Sequence, residues 1–145
     1  MAFSIERMLS YALESGASDL HLSTGSIPMV RIHGQMKKLQ LPEMDGPSMA
    51  SIAKEVLNEN QQSIFKDNLE IDFSTELKGK GRFRVNFFEQ LNGISAVFRT
   101  IPTVIKSAEE LGIPPILNKL AEMDRGLILM TGPTGSGKST TLAAM

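Results

Sequence analysis

The sequence predicts an α+β fold for this chain of 145 residues. Helical periodicity and alternating strand patterns are mixed along residues 1–100, and Asn92-Gly93 is a strong hairpin signal. A continuous apolar run then precedes a glycine-rich segment that begins at Gly132. These three observations predict helices on an antiparallel sheet, followed by the beginning of an α/β unit.

Three amphipathic helices are predicted in the first half of the chain. Apolar residues recur at helical spacing from Ile5 to Leu13, with Ser4 as the N-cap and Gly16 at the end. Pro47 begins the second helix, and Asn60 is expected to cap the third. Both of these helices should pack against one sheet.

Strand patterns separate and follow these helices. Residues 19–31 indicate two short strands around a turn, and His33 opens a third. Residues 71–77 alternate between apolar and polar side chains, which is typical of a half-buried strand.

The Asn92-Gly93 pair predicts a two-residue type I′ turn and, with it, a register. If Leu91 lies opposite Ile94, then Asn86 lies opposite Arg99. The apolar face of this hairpin then carries Phe83, Val85, Phe87 and Phe98. The other face carries Arg82, Arg84, Asn86 and Arg99. A slip of one residue would split the arginines between the faces.

The pattern changes after Thr100. Ile101-Pro102-Thr103 cannot continue a central strand, and Ser107 with Glu110 forms a capping box that opens a short helix. Pro114-Pro115 precedes a further helix. We therefore predict a first domain at residues 1–100, a linker at 101–112 and the beginning of a second domain at 113–145.

Residues 127–131 form a short apolar run, as expected for a strand buried on both faces. Gly132 to Ser139 then matches G-x-x-x-x-G-K-[ST], and a strand before and a helix after are the context of a P-loop. Its glycines allow backbone N–H groups to approach phosphate oxygens closely. The alternative is a glycine-rich turn with a solvated lysine.

The residue types of this motif predict a nucleotide and Mg²⁺ as ligands. Lys138 would act on the β- and γ-phosphates, and the Ser139 hydroxyl would bind Mg²⁺. The predicted nucleotide-binding residues are Gly132, Pro133, Thr134, Gly135, Ser136, Gly137, Lys138, Ser139 and Thr140. Only residues 140–145 follow the motif, and no metal-holding acid or water-positioning group can be placed. We therefore expect the front portion of a longer protein, inactive alone and folded chiefly through residues 1–100.

Composition limits the remaining possibilities. The chain has 15 Lys and Arg, 16 Asp and Glu and a net charge of −1, which argues against a nucleic-acid partner. It has no Cys, so disulfides and cysteine metal sites are excluded. No apolar run approaches the ~20 residues that span a bilayer, and the start lacks a signal-peptide pattern. These features predict a cytoplasmic protein without direct membrane insertion.

Several stretches carry a family resemblance beyond the P-loop. They are residues 16–22, 81–86, 96–102, 110–112, 125–127 and 131–145. Together they resemble the PilT family of type IV pilus retraction ATPases, in the secretion ATPase superfamily. The resemblance implies a PAS-like first domain and the start of a RecA-like ATPase domain in a homohexameric ring.

The resemblance also implies a biological setting and a role for the hairpin arginines. ATP hydrolysis would power pilus retraction in twitching motility, with an inner-membrane platform protein as partner and the ATPase peripheral to that membrane. Relatives for pilus extension or type II secretion carry domains ahead of the stretch at residues 16–22, which lies almost at Met1 here, so we expect the retraction branch. Arg82, Arg84 and Arg99 match arginines that reach the γ-phosphate.

Other interpretations remain open at this stage. The three arginines could be solvated charges on an exposed strand face. The chain could belong to a type II secretion or pilus-assembly ATPase, to a non-enzymatic ring-assembly module, or to an unrelated P-loop kinase or transporter. His21, between two leucines, is expected to be structural.

Overall fold

The computed structural model describes residues 4–102, 107–133 and 136–145. They form two compact units, Met1–Pro102 and Thr103–Met145. The first unit contains α1 (Ile5–Glu14), β1 (Asp19–Ser23), β2 (Met29–Ile32), β3 (Gln35–Lys38), α2 (Gly46–Val56), α3 (Glu59–Asn68), β4 (Glu70–Leu77), β5 (Gly81–Gln90) and β6 (Gly93–Ile101). The second contains α4 (Pro115–Ala121) and α5 (Lys138–Ala144). Helices and an antiparallel sheet confirm the α+β prediction.

The three predicted helices of the first unit are present, with one change of cap. Ser4 caps α1 as predicted, with its hydroxyl accepting from the Arg7 N–H at 3.4 Å. The cap of α3 is Asn58, so the prediction of Asn60 is wrong. Asn58 and Gln61 exchange two hydrogen bonds, in which each side chain accepts from the backbone N–H of the other residue. This capping box satisfies two N–H groups at the start of α3 and favours Asn58 as the cap.

The six strands form one antiparallel sheet in the order β3-β2-β1-β6-β5-β4. The pairing of β1 with β6 joins segments about 80 residues apart, since Asp19 lies directly opposite Arg99. This non-local pairing inserts β1 between two hairpins. It brings the segment at residues 16–22 alongside the arginine-bearing hairpin.

The core lies on the face of the sheet that packs against the helices. Phe83, Val85, Phe87 and Phe98 are completely buried there, which confirms the predicted apolar face. Phe87 is central, with its ring 5.8 Å from Phe98, 6.2 Å from Phe65 and 6.3 Å from Phe73 between centroids. This aromatic cluster ties α3 to strands β4, β5 and β6.

The register of the β5–β6 hairpin differs from the predicted one by two residues. Arg84, not Asn86, lies opposite Arg99. The predicted type I′ turn is also wrong, because Leu91 and Asn92 lack positive φ and only Gly93, at +115°, has it. A Cβ on Gly93 would lie 3.1 Å from the Thr24 hydroxyl oxygen, so packing against Thr24 favours glycine after the turn.

The second unit contains the predicted helix after Pro114-Pro115 but not the predicted strand. The capping box of Ser107 and Glu110 forms, yet it opens a single turn rather than a helix. Residues 127–131 are not a strand, and Leu127 is 81% exposed. A buried strand needs a neighbour to pair with, and residues 107–133 and 136–145 contain none.

Two sequence predictions fall partly outside the described part of the chain. The linker at 101–112 includes residues 103–106, and the division into a PAS-like domain, linker and RecA-like start stays a prediction. Within the described ranges, no helix combines the length and the apolar character needed to cross a membrane.

Candidate functional site

Gly132, the first residue of the predicted P-loop, lies close to the Ser136 side chain. This residue has φ of +150°, and a Cβ on it would lie 2.8 Å from the Ser136 hydroxyl oxygen. Gly137, at φ +85°, then precedes α5 and accepts a hydrogen bond from the Thr141 N–H at 2.9 Å. Both glycines therefore meet conformational demands that a side chain would oppose. Thr134 and Gly135 lie outside the described residues.

Lys138 turns back over the start of this loop. Its ammonium group donates to the carbonyl oxygens of Gly132 at 2.8 Å and Pro133 at 2.7 Å. These are neutral acceptors, and hydrogen bonds from an ammonium group to an anionic phosphate oxygen are stronger. A phosphate group at the loop would therefore compete for the Lys138 donors.

Two residues with hydroxyl groups follow Lys138 in the first turn of α5. Ser139 and Thr140 are both exposed at this turn. An ammonium group, a hydroxyl group and glycine-rich backbone are the donors and ligand that a magnesium–triphosphate complex requires. The residues present therefore fit the predicted ligands, with Lys138 and Ser139 as the charged and metal-binding members.

The predicted arginines share the face of the sheet opposite the core. Across four strands lie Arg31, Asp19, Arg99 and Arg84, each directly opposite the next, and we call this set the arginine row. Arg82 lies on the same face, opposite Ile101 and Glu76. The structure thus brings together the three arginines, although their pairing differs from the predicted register.

Arg84 is held by an acidic residue of β4. Its Nε donates to both carboxylate oxygens of Asp72 at 3.1 and 3.2 Å, and its Nη2 donates to one of them at 2.9 Å. These hydrogen bonds lower the pKa of Asp72 and raise the pKa of Arg84. Arg84 stays 65% exposed, so the pair lies at the surface and can exchange partners.

Asp19 holds Arg99 from the other side. Its side chain is only 7% exposed and accepts from Arg99 Nε at 3.0 Å and from the Ser18 hydroxyl at 2.8 Å. Arg31 Nε lies 3.4 Å from the second carboxylate oxygen. Burial raises the pKa of Asp19, but the hydrogen bonds from Ser18 and Arg99 and the charge of Arg99 outweigh it and leave that pKa below its usual value.

Asp19 was not among the predicted site residues. Its sequence signal is an acidic residue at the start of a strand, within the stretch at residues 16–22 that carries the family resemblance. His21 lies two residues further along β1, and its Nε2 is buried without a hydrogen-bond partner in the described ranges. Burial lowers the pKa of His21, which fits the structural role that the sequence predicts.

The lowered pKa of Asp19 predicts that the first unit loses stability at acidic pH. The ionised carboxylate stabilises the fold fully above its unfolded pKa of about 3.9, and this contribution is lost as the pH falls through the lower folded value. Asp19→Asn cannot titrate. We expect the free-energy difference of unfolding between wild type and Asp19→Asn to shrink below about pH 4, where the carboxyl becomes protonated.

Urea unfolding of the 145-residue chain, followed by far-ultraviolet circular dichroism at each pH, measures this difference. Asp67→Asn is the control, because Asp67 is exposed on α3. A difference that stays the same at every pH would show that folding does not shift the pKa of Asp19.

A family comparison decides the classification. The family model described as type II/IV secretion system protein matches residues 1–145. The chain belongs to this family. The type IV pilus retraction ATPase PilT of Pseudomonas aeruginosa is 46% identical over 141 residues, covering 97% of this chain and 41% of that protein. The twitching motility protein of Neisseria gonorrhoeae is 53% identical over 118 residues, covering 81% of this chain and 32% of that protein.

Two solved structures agree with this family assignment. The crystal structure of the pilus retraction motor PilT with bound ADP matches with a TM-score of 0.85 and 40% identity, covering 99% of this chain and 42% of that one. The Legionella pneumophila ATPase DotB matches with a TM-score of 0.83 and 26% identity, covering 97% and 40%. The chain spans about a third to two fifths of the length of these relatives.

Proposed function

We propose that the protein containing this chain is a P-loop ATPase that powers retraction of a type IV pilus. The observation that carries the proposal is the loop from Gly132 to Ser139, with Lys138 folded over its start and Gly132 restricted to glycine. The retraction role rests on the likeness to PilT of Pseudomonas aeruginosa, at 46% identity. The chain is also similar to a protein named for twitching motility.

The loop residues would bind ATP and orient it. Lys138 would leave the Gly132 and Pro133 carbonyls and donate to the β- and γ-phosphate oxygens. The Ser139 hydroxyl would bind Mg²⁺, which supplies charge neutralisation between the two phosphates when it is present. The backbone N–H groups of the glycine-rich loop would complete the phosphate contacts.

The arginines of the first unit would supply positive charge to the transferring phosphoryl group. Arg99 and Arg84 are directly opposite each other and exposed, and Arg82 shares their face. Guanidinium groups delivered to this position in phosphoryl transfer are worth ~10³–10⁵ in rate. We therefore propose that these three residues contact the γ-phosphate of a nucleotide bound at a P-loop.

The assembly belongs to the same proposal. A homohexameric ring would convert sequential closures of the first domain over the nucleotide into force, and an inner-membrane platform protein of the pilus would receive it. The protein would then lie in the cytoplasm, at the inner membrane through the pilus machine. The family resemblance and the PilT relative support this arrangement.

A strain that lacks the protein distinguishes retraction from the alternative roles. We expect pili to be made but not withdrawn, so the cells remain piliated and lose twitching motility. A pilus-assembly ATPase predicts bare cells, and a type II secretion ATPase predicts lost export with normal pili. Electron microscopy of surface pili and a twitching assay measure the result.

A further inference from the structure

Asp19 is the one buried acidic side chain of the arginine row. Its carboxylate is 7% exposed, whereas Arg99 is 68% exposed and Arg31 is 39% exposed. A buried carboxylate is costly unless it is paired and hydrogen-bonded, and Asp19 meets this condition through Ser18, Arg99 and Arg31. It is therefore a buried, hydrogen-bonded anchor beneath the more exposed cations Arg99 and Arg31.

The geometry of the Arg99 contact differs from that of Arg84. From Arg99, Asp19 accepts a single hydrogen bond, donated by Nε at 3.0 Å, and within the described ranges neither Nη group of Arg99 has a hydrogen-bond partner. Asp72 instead engages both Nε and Nη2 of Arg84. Asp19 therefore binds Arg99 through Nε alone, and the two Nη groups of Arg99 remain available to an anion.

Arg99 also lies beside a second positive charge, which its pairing with Asp19 offsets. Arg84 lies directly opposite it on β5, and like charges in that position repel each other. The carboxylate of Asp19, opposite Arg99 on β1, offsets this repulsion. His21 on β1 and Arg31 on β2 are the other titratable or charged groups near the carboxylate.

We propose that Asp19 is a positioning residue, which holds Arg99 by its Nε so that both Nη groups face a phosphate anion. The inference rests on the proposed function, because it requires Arg99 to contact the γ-phosphate. Asp19 itself touches no substrate in this proposal. Misplacement of a catalytic group by about 1 Å costs on the order of 10²-fold in rate.

A double-mutant cycle in the complete protein tests the proposal. We expect Asp19→Asn to lower the kcat for ATP about 10- to 100-fold, and Arg99→Ala to lower it on the order of 10³-fold. The double variant should be no slower than Arg99→Ala, because Asp19 acts only through Arg99. Asp67→Asn, which removes an exposed carboxylate of α3, is the control and should change kcat less than threefold.

Nucleotide binding supplies a readout that a purely structural role would not change. Asp19→Asn should weaken binding of ATPγS about tenfold and leave ADP binding unchanged, because only the triphosphate analogue carries the γ-phosphate that Arg99 contacts. Isothermal titration calorimetry of assembled rings measures both affinities. Equal weakening of both nucleotides would overturn the proposal.

The remaining outcomes separate the inference from the proposed function. If Arg99→Ala slows turnover but Asp19→Asn does not, or if their effects multiply in the double variant, Asp19 does not act through Arg99. If Arg99→Ala itself has wild-type turnover, the arginine role in the proposed function fails together with the inference.

Arg99→Lys provides a second variant should Asp19→Asn not fold. Its ammonium group can pair with Asp19 but then carries no Nη groups to direct outward. We expect the turnover of Arg99→Lys to match that of Arg99→Ala. Wild-type turnover in Arg99→Lys would show that any cation suffices and would overturn the positioning role.

Discussion

Lys138→Ala in the complete protein is expected to lower ATP turnover per ring on the order of 10²–10³-fold while the rings still assemble. The Lys138 ammonium group already lies within 2.8 Å of two loop carbonyls, so it is placed at the predicted P-loop without contributing to a core. Removal of one preorganised donor to a transferring phosphoryl group has an effect of this size. Turnover is measured by phosphate release, and assembly by light scattering coupled to size-exclusion chromatography.

Arg84→Ala is the companion variant, because its residue lies in the first unit rather than in the loop. We expect a loss on the order of 10³-fold, again with intact rings. Lys119→Ala is the control, since this lysine is exposed in the last turn of α4. A non-enzymatic assembly role predicts the reverse pattern, with broken rings and normal turnover at each assembled site. Wild-type turnover in Lys138→Ala would remove the P-loop proposal.

The faces of the hairpin could be predicted from the sequence because strands have a side-chain period of two. The predicted register was wrong by two residues, and a shift of two moves no side chain to the other face. Phe83 and Phe98 are therefore buried as predicted, and Arg84 and Arg99 still share the opposite face. The partner assignment itself depended on the turn, where Gly93 packs against Thr24.

Features that depend on distant parts of the chain could not be predicted in this way. The contact of Asp19 with Arg99 joins residues 80 positions apart, and it exists only because β1 pairs with β6. No local pattern identifies that pairing. The strand predicted at residues 127–131 is absent for a related reason. An apolar run of this kind forms a buried strand only where neighbouring strands pair with it, and those strands lie in other parts of a fold.

The candidate residues form two groups, one in each unit, and the two groups differ in how they could be predicted. The P-loop is a local motif, so its residues and their roles could be predicted from spacing alone, and those roles remain predictions. The arginine row depends on the order of the strands in the sheet. Strands β1, β6 and β5 place Asp19, Arg99 and Arg84 opposite one another, although these residues are far apart in the sequence. Its acidic member became visible only in the folded chain.

Phe87→Ala is expected to destabilise the first unit by about 3–5 kcal/mol, as for other buried phenylalanines. Phe87 is completely buried and contacts three other aromatic rings, from α3, β4 and β6. Its removal leaves a cavity where these elements meet, and their rigid backbones can collapse only partly into it. Domains of this size are stable by about 5–15 kcal/mol, so roughly a fifth or more of that stability would be lost.

Phe88→Ala is the matched control, because the same side chain is removed one position further along β5. Phe88 points to the opposite face of the sheet and is only half-buried, so its truncation should cost about 1 kcal/mol or less. Urea unfolding of the two variants of this chain, followed by far-ultraviolet circular dichroism, gives both free energies. Equal losses would mean that the sheet does not bury one face of β5 in preference to the other. Because the arginine row depends on the same alternation, that result would also remove the structural basis for placing Arg84 and Arg99 on one face.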